Sequence, residues 1–344
     1  MKKFILVGLL ALLILSFVFP LIFSAALVTA AIFSLLIACA ATGWNLFSGY
    51  TGYISLGYGT YYGIGGYTLA LLCKDWHIPA GYLPFLFLPI VGLVTALFAL
   101  PIGWISLRVR GHNFVIITIA TIFIFQLLAY NLAPLTEGND GIYFSLPPWK
   151  GDFYNIPFYY VALILLLVSL AVSWWIRGSK YGLSLLAMRD DEERARGLGV
   201  NTKAYKLTAF AISAFFGGVV GATSLYYIGS IYPTSAFDPT FDILPALMTF
   251  TGGVGTLAGP VFGAFLLEPL KEFMILRFGA IGLDLILFGS LLLLLILFLP
   301  EGVIPTARRL WKKRQAAGKI ITPIATPGAK EESLLVEGSA GGQG

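Results

Sequence analysis

Apolar runs about 20 residues long recur along the whole chain, separated by short polar or charged breaks. About 20 mostly apolar residues are what an α-helix needs to cross a bilayer core. Read between charges and turn residues, the runs predict segments over 4–23, 26–47, 55–73, 82–107, 114–132, 157–176, 205–228, 241–254, 259–276 and 281–299. The expected fold is therefore an all-α membrane protein, a polytopic helical bundle of about ten transmembrane or re-entrant segments. The third and eighth segments are rich in Gly, Thr and Tyr, which suits helices packed inside protein, or broken ones, better than helices facing lipid. Lys2 and Lys3 before the first apolar run also have the form of a secretory signal. No clear small-residue cleavage site follows, so a retained first span is expected.

Composition narrows the picture. The 344 residues are 58% hydrophobic and 11% charged, against about 25% charged in a typical soluble domain. Residues 1–307 are expected to form one transmembrane domain containing a cytoplasmic loop over 177–206, followed by a basic tail, 308–344, with the composition of a disordered segment. The net charge of +5 does not point to nucleic acid, because of where it lies. Ten crossings put both ends on one side, and of the 22 lysines and arginines all but Lys74, Lys150, Lys271 and Arg277 then fall in the cytoplasm, as the positive-inside rule requires. Cys39 and Cys73 both lie in apolar segments, so a disulfide framework has nothing to build on. His77 and His112 fall on opposite sides of the membrane, and no metal site is expected.

The longest internal loop lies between the sixth and seventh segments. Asp190 can cap a short helix with Glu193 at its N3 position, close to a capping-box pattern, and Gly197 or Gly199 can end it. Such a helix is either an ordinary amphipathic connection at the membrane surface or a coupling helix that seats in a separate motor protein. The chain contains no Gly-x4-Gly-Lys-[Ser/Thr] phosphate loop, so ATP chemistry by the usual mechanism belongs to another polypeptide.

This loop, 179–200, is similar to the cytoplasmic loop of the LivM-type permeases of branched-chain amino acid ABC importers. Four further segments resemble that family in family order: the Asn45-containing run 43–57, the Arg-x-Arg-Gly turn at Arg108, Arg110 and Gly111, the external run 135–142, and the Gly-Gly-x-Gly-Thr run beginning at Gly252. The chain departs from the family pattern at Tyr53, Tyr58 and His112. The resemblance implies a multi-pass permease subunit in the inner or plasma membrane of a prokaryote, and not an enzyme. It implies a second related permease, two ATP-binding subunits, an extracytoplasmic substrate-binding protein and membrane lipid as partners, with no cofactor in this chain and ATP and Mg used by the partner subunits. It places coupling to the ATPase on Arg189, Asp190, Glu193, Arg194, Ala195, Gly197 and Gly199. Within the same class, a urea or short-amide permease is the alternative.

The Gly-rich third segment carries the other candidate residues. Ser55, Gly59 and Gly63 are four apart and fall on one helical face; Gly217 with Gly221, and Gly259 with Gly263, repeat the spacing. Small residues there serve either close packing, or sliding and bare backbone along a substrate path. The positions assigned to translocation path or helix packing are Asn45, Thr51, Ser55, Gly59, Gly63, Gly252, Gly253 and Gly255. Glu268, with Lys271 and Glu272 one turn on, is either locally paired or functional. A stand-alone secondary transporter would place ionisable groups near mid-membrane, and Glu268 is nearly the only candidate.

Overall fold

The computed structural model describes residues 14–145, 147–278, 286, 289–290, 302–307 and 309. The first ten residues of the first predicted segment, nearly all of the tenth, and the tail apart from residue 309 lie outside the described residues. In chain order the helices are α1 (14–22), α2 (Ala25–Trp44), α3 (Tyr58–Asp75), α4 (Leu83–Leu86), α5 (Leu88–Ser106), α6 (His112–Asn131), α7 (Ala133–Thr136), α8 (Asn155–Gly178), α9 (Lys180–Asp190), α10 (Glu192–Gly197), α11 (Thr202–Ile228), α12 (Pro233–Ala236), α13 (Thr240–Gly252) and α14 (Gly259–Phe278). A π-helical turn, Asn45–Gly49, follows α2 directly. Two short strands, β1 (Ile142–Tyr143) and β2 (Ser230–Ile231), pair antiparallel with Ile142 opposite Ile231.

Five of these stretches are long and apolar enough to cross a membrane: Ala25–Gly49, Leu88–Ser106, His112–Asn131, Asn155–Gly178 and Thr202–Ile228. The chain is an all-α membrane protein. Its helices divide by burial. α11 packs on α3, α5 and α2, and α2 packs on α8, α13 and α14, so α11 and α2 form the centre. α5 and α6 lie outside and leave Leu93, Leu97, Trp104, Ile116 and Leu127 exposed; in a bilayer, hydrocarbon covers such faces at no cost.

α3 begins at Tyr58, not at Ser55 as the apolar pattern predicted. Gly52 turns the chain at φ +77°, and the backbone that follows is satisfied by side chains instead of a helical ladder. The Ser55 N–H donates to Ser48 Oγ at 3.2 Å, and the Ser55 carbonyl accepts from Trp44 Nε1 at 2.8 Å. Ser55 therefore shares no helical face with Gly59 and Gly63. The buried carboxylate of Asp242 supplies the cap that α3 lacks locally, accepting from the Gly59 N–H at 2.5 Å. This satisfies one of the N–H groups that the first turn of a helix leaves without an intrahelical partner.

Glycines explain how the centre closes. Between β2 and α13 the chain is partly unwound and runs antiparallel to α3. A Cβ at Gly66 would meet Leu225 and Ile231, one at Gly63 would collide with the Phe237 ring and the Ala236 carbonyl, and one at Gly59 would lie 3.2 Å from the Asp238 carbonyl. Irregular backbone at membrane depth is tolerated when protein covers it, and this face of α3 does so. The opposite face meets α11 with bare backbone on both sides. A Cβ at Gly65 would overlap the Gly218 backbone, and one at Gly221 would overlap the backbone of Tyr62. Gly263 likewise lies against the Met248 backbone and Gly252 against Gly259.

Candidate functional site at the coupling loop

α9 starts on Ser179, whose Oγ accepts from the Gly182 N–H at 3.2 Å, and closes with the Asp191 N–H on the Ala187 carbonyl at 3.0 Å. Asp191 is extended at φ −158°, and its Oδ1 accepts from the Glu193 and Arg194 N–H groups at 3.0 Å each. The cap of the next helix is thus Asp191, one residue later than predicted. Asp190 completes the last turn of α9 and is exposed. The displacement has a physical cause, since an acid can cap only where the backbone leaves the helix. α10 ends at Gly197, the chain reverses at Gly199 with φ +86°, and Ala195 is buried beneath. Leu198 stands at the tip, 85% exposed.

The first residue of α10, Glu192, is the hub of a charged junction. One carboxylate oxygen accepts from Lys206 Nζ at 2.7 Å and the other from Tyr53 Oη at 2.7 Å. Lys206 Nζ also donates to Tyr53 Oη at 3.1 Å and lies 4.4 Å from the centre of that ring. The Lys206 side chain is 3% exposed and that of Glu192 11%. Around this pair, Arg110 reaches Glu192 at 3.6 Å and Glu193 at 3.0 Å, and Arg196 reaches both acids at 3.5 and 3.6 Å. Four parts of the chain meet here: α10, the non-helical stretch before α3, the turn before α6, and the start of α11.

Burial pushes the Glu192 carboxyl up, but the bonds from Lys206 and Tyr53 and the charges of Lys206 and Arg110 outweigh it, leaving the group below its ordinary value. Burial, together with the bond to Glu192, holds the Tyr53 phenol well above its ordinary value. The Arg110 guanidinium is raised by its bond to Glu193. Glu192 and Arg110 are therefore ionised, beside a neutral phenol, at neutral pH.

A second set of bonds ties α9 to the π-helical turn and α8 to the glycine loop after α13. Arg189 Nη1 donates to the Gly49 carbonyl at 2.8 Å and Arg177 Nη1 to the Gly255 carbonyl at 3.0 Å. Asn45 Nδ2 donates to the Thr256 carbonyl at 2.9 Å, and Asn45 Oδ1 accepts from the Gly255 N–H at 2.8 Å. Gly253 and Gly255 have φ of +126° and +75°, a region that side chains with a Cβ rarely enter.

The structure thus joins Arg189 with Asn45 and Gly255, and Glu193 with the junction around Glu192. Asp190, Arg194, Gly197 and Gly199 lie on the exposed loop; Arg194 pairs with its own cap, Asp191, at 2.9 Å. Thr51 is buried and bonds back to the Phe47 carbonyl at 2.7 Å. Among the described residues, Ser55 Oγ and Glu268 Oε2 are buried without a partner; the other Glu268 oxygen accepts from Lys271 at 2.9 Å, which is the locally paired arrangement. Glu192, Lys206, Arg177 and Leu198 were not picked out from the sequence, and Tyr53 was picked out only as a departure from the family pattern. One signal was available, since Lys206 is a lone cation at the start of an apolar run and a cation there needs a partner.

Residues 4–298 match the model of a family described as branched-chain amino acid transport system / permease component. The chain belongs to that family. It is 30% identical over 284 residues to the high-affinity branched-chain amino acid transport system permease protein LivM of Escherichia coli (strain K12), covering 75% of this chain and 65% of that protein. It is 29% identical over 284 residues to the same-named protein of Salmonella typhimurium, with the same coverage. It is 25% identical over 244 residues to the autoinducer 2 import system permease protein LsrC of Yersinia pseudotuberculosis, covering 61% of this chain and 65% of that one. The chain thus spans about two thirds (65%) of the length of these curated relatives. No solved structure matches it.

Proposed function

We propose that the chain is the transmembrane permease subunit of an ATP-binding cassette importer in a prokaryotic plasma membrane, and that its substrate is a branched-chain amino acid delivered by an extracytoplasmic binding protein. The family match and the relatives named for this transport support the reading. A second related permease and two ATP-binding subunits complete the assembly, and ATP with Mg is used on the latter. In this reading residues 1–307 make about ten membrane segments with both ends in the cytoplasm, 308–344 are a cytoplasmic tail, and 177–206 couple transport to ATP hydrolysis.

The observation that carries the coupling role is the anchoring of α10. An exposed leucine at its tip offers an apolar knob to a groove in a partner. Behind it, Glu192 hands any displacement to the stretch before α3 through Tyr53 and to α11 through Lys206. Arg189 and Arg177 hand the motion of α9 and α8 to the π-helical turn and the 253–256 loop. A loop merely connecting two spans has no need of such buried, doubly bonded charges.

Two experiments test this. Replacing Leu198, whose side chain stands exposed, with Asp is expected to weaken association with the ATP-binding subunits by about tenfold or more. Leucine uptake should fall with it while the amount of chain in the membrane is unchanged. Co-purification and leucine-stimulated ATPase activity in proteoliposomes measure the effect, and wild-type values for both would remove the coupling role. Separately, single cysteines at Leu198 and at Tyr143 should be labelled from opposite sides of the membrane by an impermeant maleimide. Labelling from one side refutes the topology.

A further inference from the structure

At the end of α3 remote from the coupling loop, a cavity of about 520 Å³ opens to the surface, a size typical of small-molecule sites. Lys74, on the last turn of α3, and Glu137, in the turn after α7, lie at it, over a base that includes Ala70, Cys73, Ile142 and Tyr226. α11 begins just after the coupling loop and reaches Tyr226 near its end. Its 27 residues rise about 40 Å, so the cavity belongs to the extracytoplasmic face in the topology proposed above.

The walls are braced and the charges are not. Tyr226 Oη accepts from the Gly81 N–H at 2.9 Å and donates to the Gly81 carbonyl at 3.1 Å, which fixes the turn after α3. The β1–β2 pairing fixes the opposite wall, and Thr136 ties the α7 turn to α6 through the Ala129 carbonyl at 2.5 Å. Lys74 Nζ and Glu137 Oε1, by contrast, meet at 2.7 Å with side chains 46% and 39% exposed. An exposed ion pair of this kind is weak, and the four-carbon stem of a lysine lets its ammonium swing away.

We infer that this vestibule is a landing site for a zwitterionic amino acid, whose α-carboxylate exchanges onto Lys74 and whose α-ammonium exchanges onto Glu137. The exchange replaces one weak ion pair with two and leaves no pole unpaired. A simple anion or cation satisfies one pole and strands the other. The apolar base accommodates a hydrocarbon side chain. An opened pair also suits a transit site, since release re-forms the Lys74–Glu137 bond and holds the ligand only weakly. The inference deepens the amino-acid reading above and rests on it for its biological sense.

The test uses the assembled importer in lipid nanodiscs without its binding protein, and saturation-transfer NMR with three probes of equal carbon skeleton. L-Leucine is expected to bind, whereas 4-methylpentanoate, lacking the ammonium, and leucinamide, lacking the carboxylate, give signals at least about tenfold weaker at equal concentration. Lys74→Gln should remove the preference for leucine over leucinamide, and Glu137→Gln the preference for leucine over the probe that lacks the ammonium. The double exchange Lys74→Glu with Glu137→Lys restores one charge of each sign and should restore a preference for leucine over both other probes; no preference in it would overturn the pairing of the two poles. Equal signals from all three probes, no leucine signal, or leucine binding unchanged in both single variants would overturn the inference. Leucine uptake by the wild-type importer with its binding protein is measured alongside. Uptake without vestibule binding refutes this site alone, while absence of uptake refutes the amino-acid reading.

Discussion

Gly65→Leu is expected to abolish recovery of the folded chain from membranes, and Gly65→Ala to lower its melting temperature by several degrees. Gly65 meets Gly218 across the α3–α11 contact with main chain on both sides. An added methyl there cannot be absorbed by a side-chain rotation; it must push the helices apart. Overpacking of a core typically costs about 1–3 kcal/mol when side chains can yield. A contact in which only backbone can yield lies at or beyond the top of that range, against a total stability of about 5–15 kcal/mol. Gly63→Leu should also impair assembly, but Gly63→Ala less than Gly65→Ala, because some of what opposes it is the Phe237 ring. Gly197, with open space around it, is the control, and Gly197→Ala should leave yield unchanged. Fluorescence-detected size-exclusion and a melting series measure all of these. Normal yield of Gly65→Leu would show that α3 and α11 do not approach at this point.

The apolar pattern placed the long unbroken helices closely. The predicted 114–132 and 205–228 correspond to His112–Asn131 and Thr202–Ile228. Such helices satisfy their own backbone, so local hydrophobicity specifies them almost completely. It placed the broken, Gly-rich start of α3 less well, for a definite reason. The start of α3 depends on Ser48 and Trp44 bonding to a backbone several residues away and on Asp242 arriving from α13, none of which is visible in a window around Ser55. Asp190 and Asp191 are equivalent as cap residues in sequence, and what separates them is where α9 stops. The spacing of the glycines showed that something approaches α3 closely. It did not show that the visitor at Gly59 and Gly63 is an unwound stretch between β2 and α13 rather than another long helix. The junction at Glu192 joins residues 139 positions apart in the case of Tyr53, and only the folded chain brings them together.

Lys206→Met should break that junction. It leaves the Glu192 carboxylate, still largely buried, with Tyr53 and only the longer contacts from Arg110 and Arg196 at 3.6 and 3.5 Å. Removing one partner of a buried ion pair costs about 3–5 kcal/mol, whereas replacing both by apolar groups of similar volume is often close to neutral. The single variant is therefore expected to lose abundance and uptake together, and the double variant Glu192→Met with Lys206→Met to regain abundance. Uptake should not return with it. An apolar pair holds α10 in place but no longer grips Tyr53 or attracts Arg110, so movement of the loop is not passed to the stretch before α3. The pH dependence follows the same logic. Glu192 lies below its ordinary value of 4.5 when folded, so its contribution is complete above that value and is lost as the pH falls through the lowered one. Uptake and leucine-stimulated ATP hydrolysis by the double variant, normalised to the amount of assembled importer, separate the two roles. Normal coupling in a folded double variant would reduce the junction to a fastener and leave Arg189 and Arg177 as the route from the coupling loop to the membrane helices.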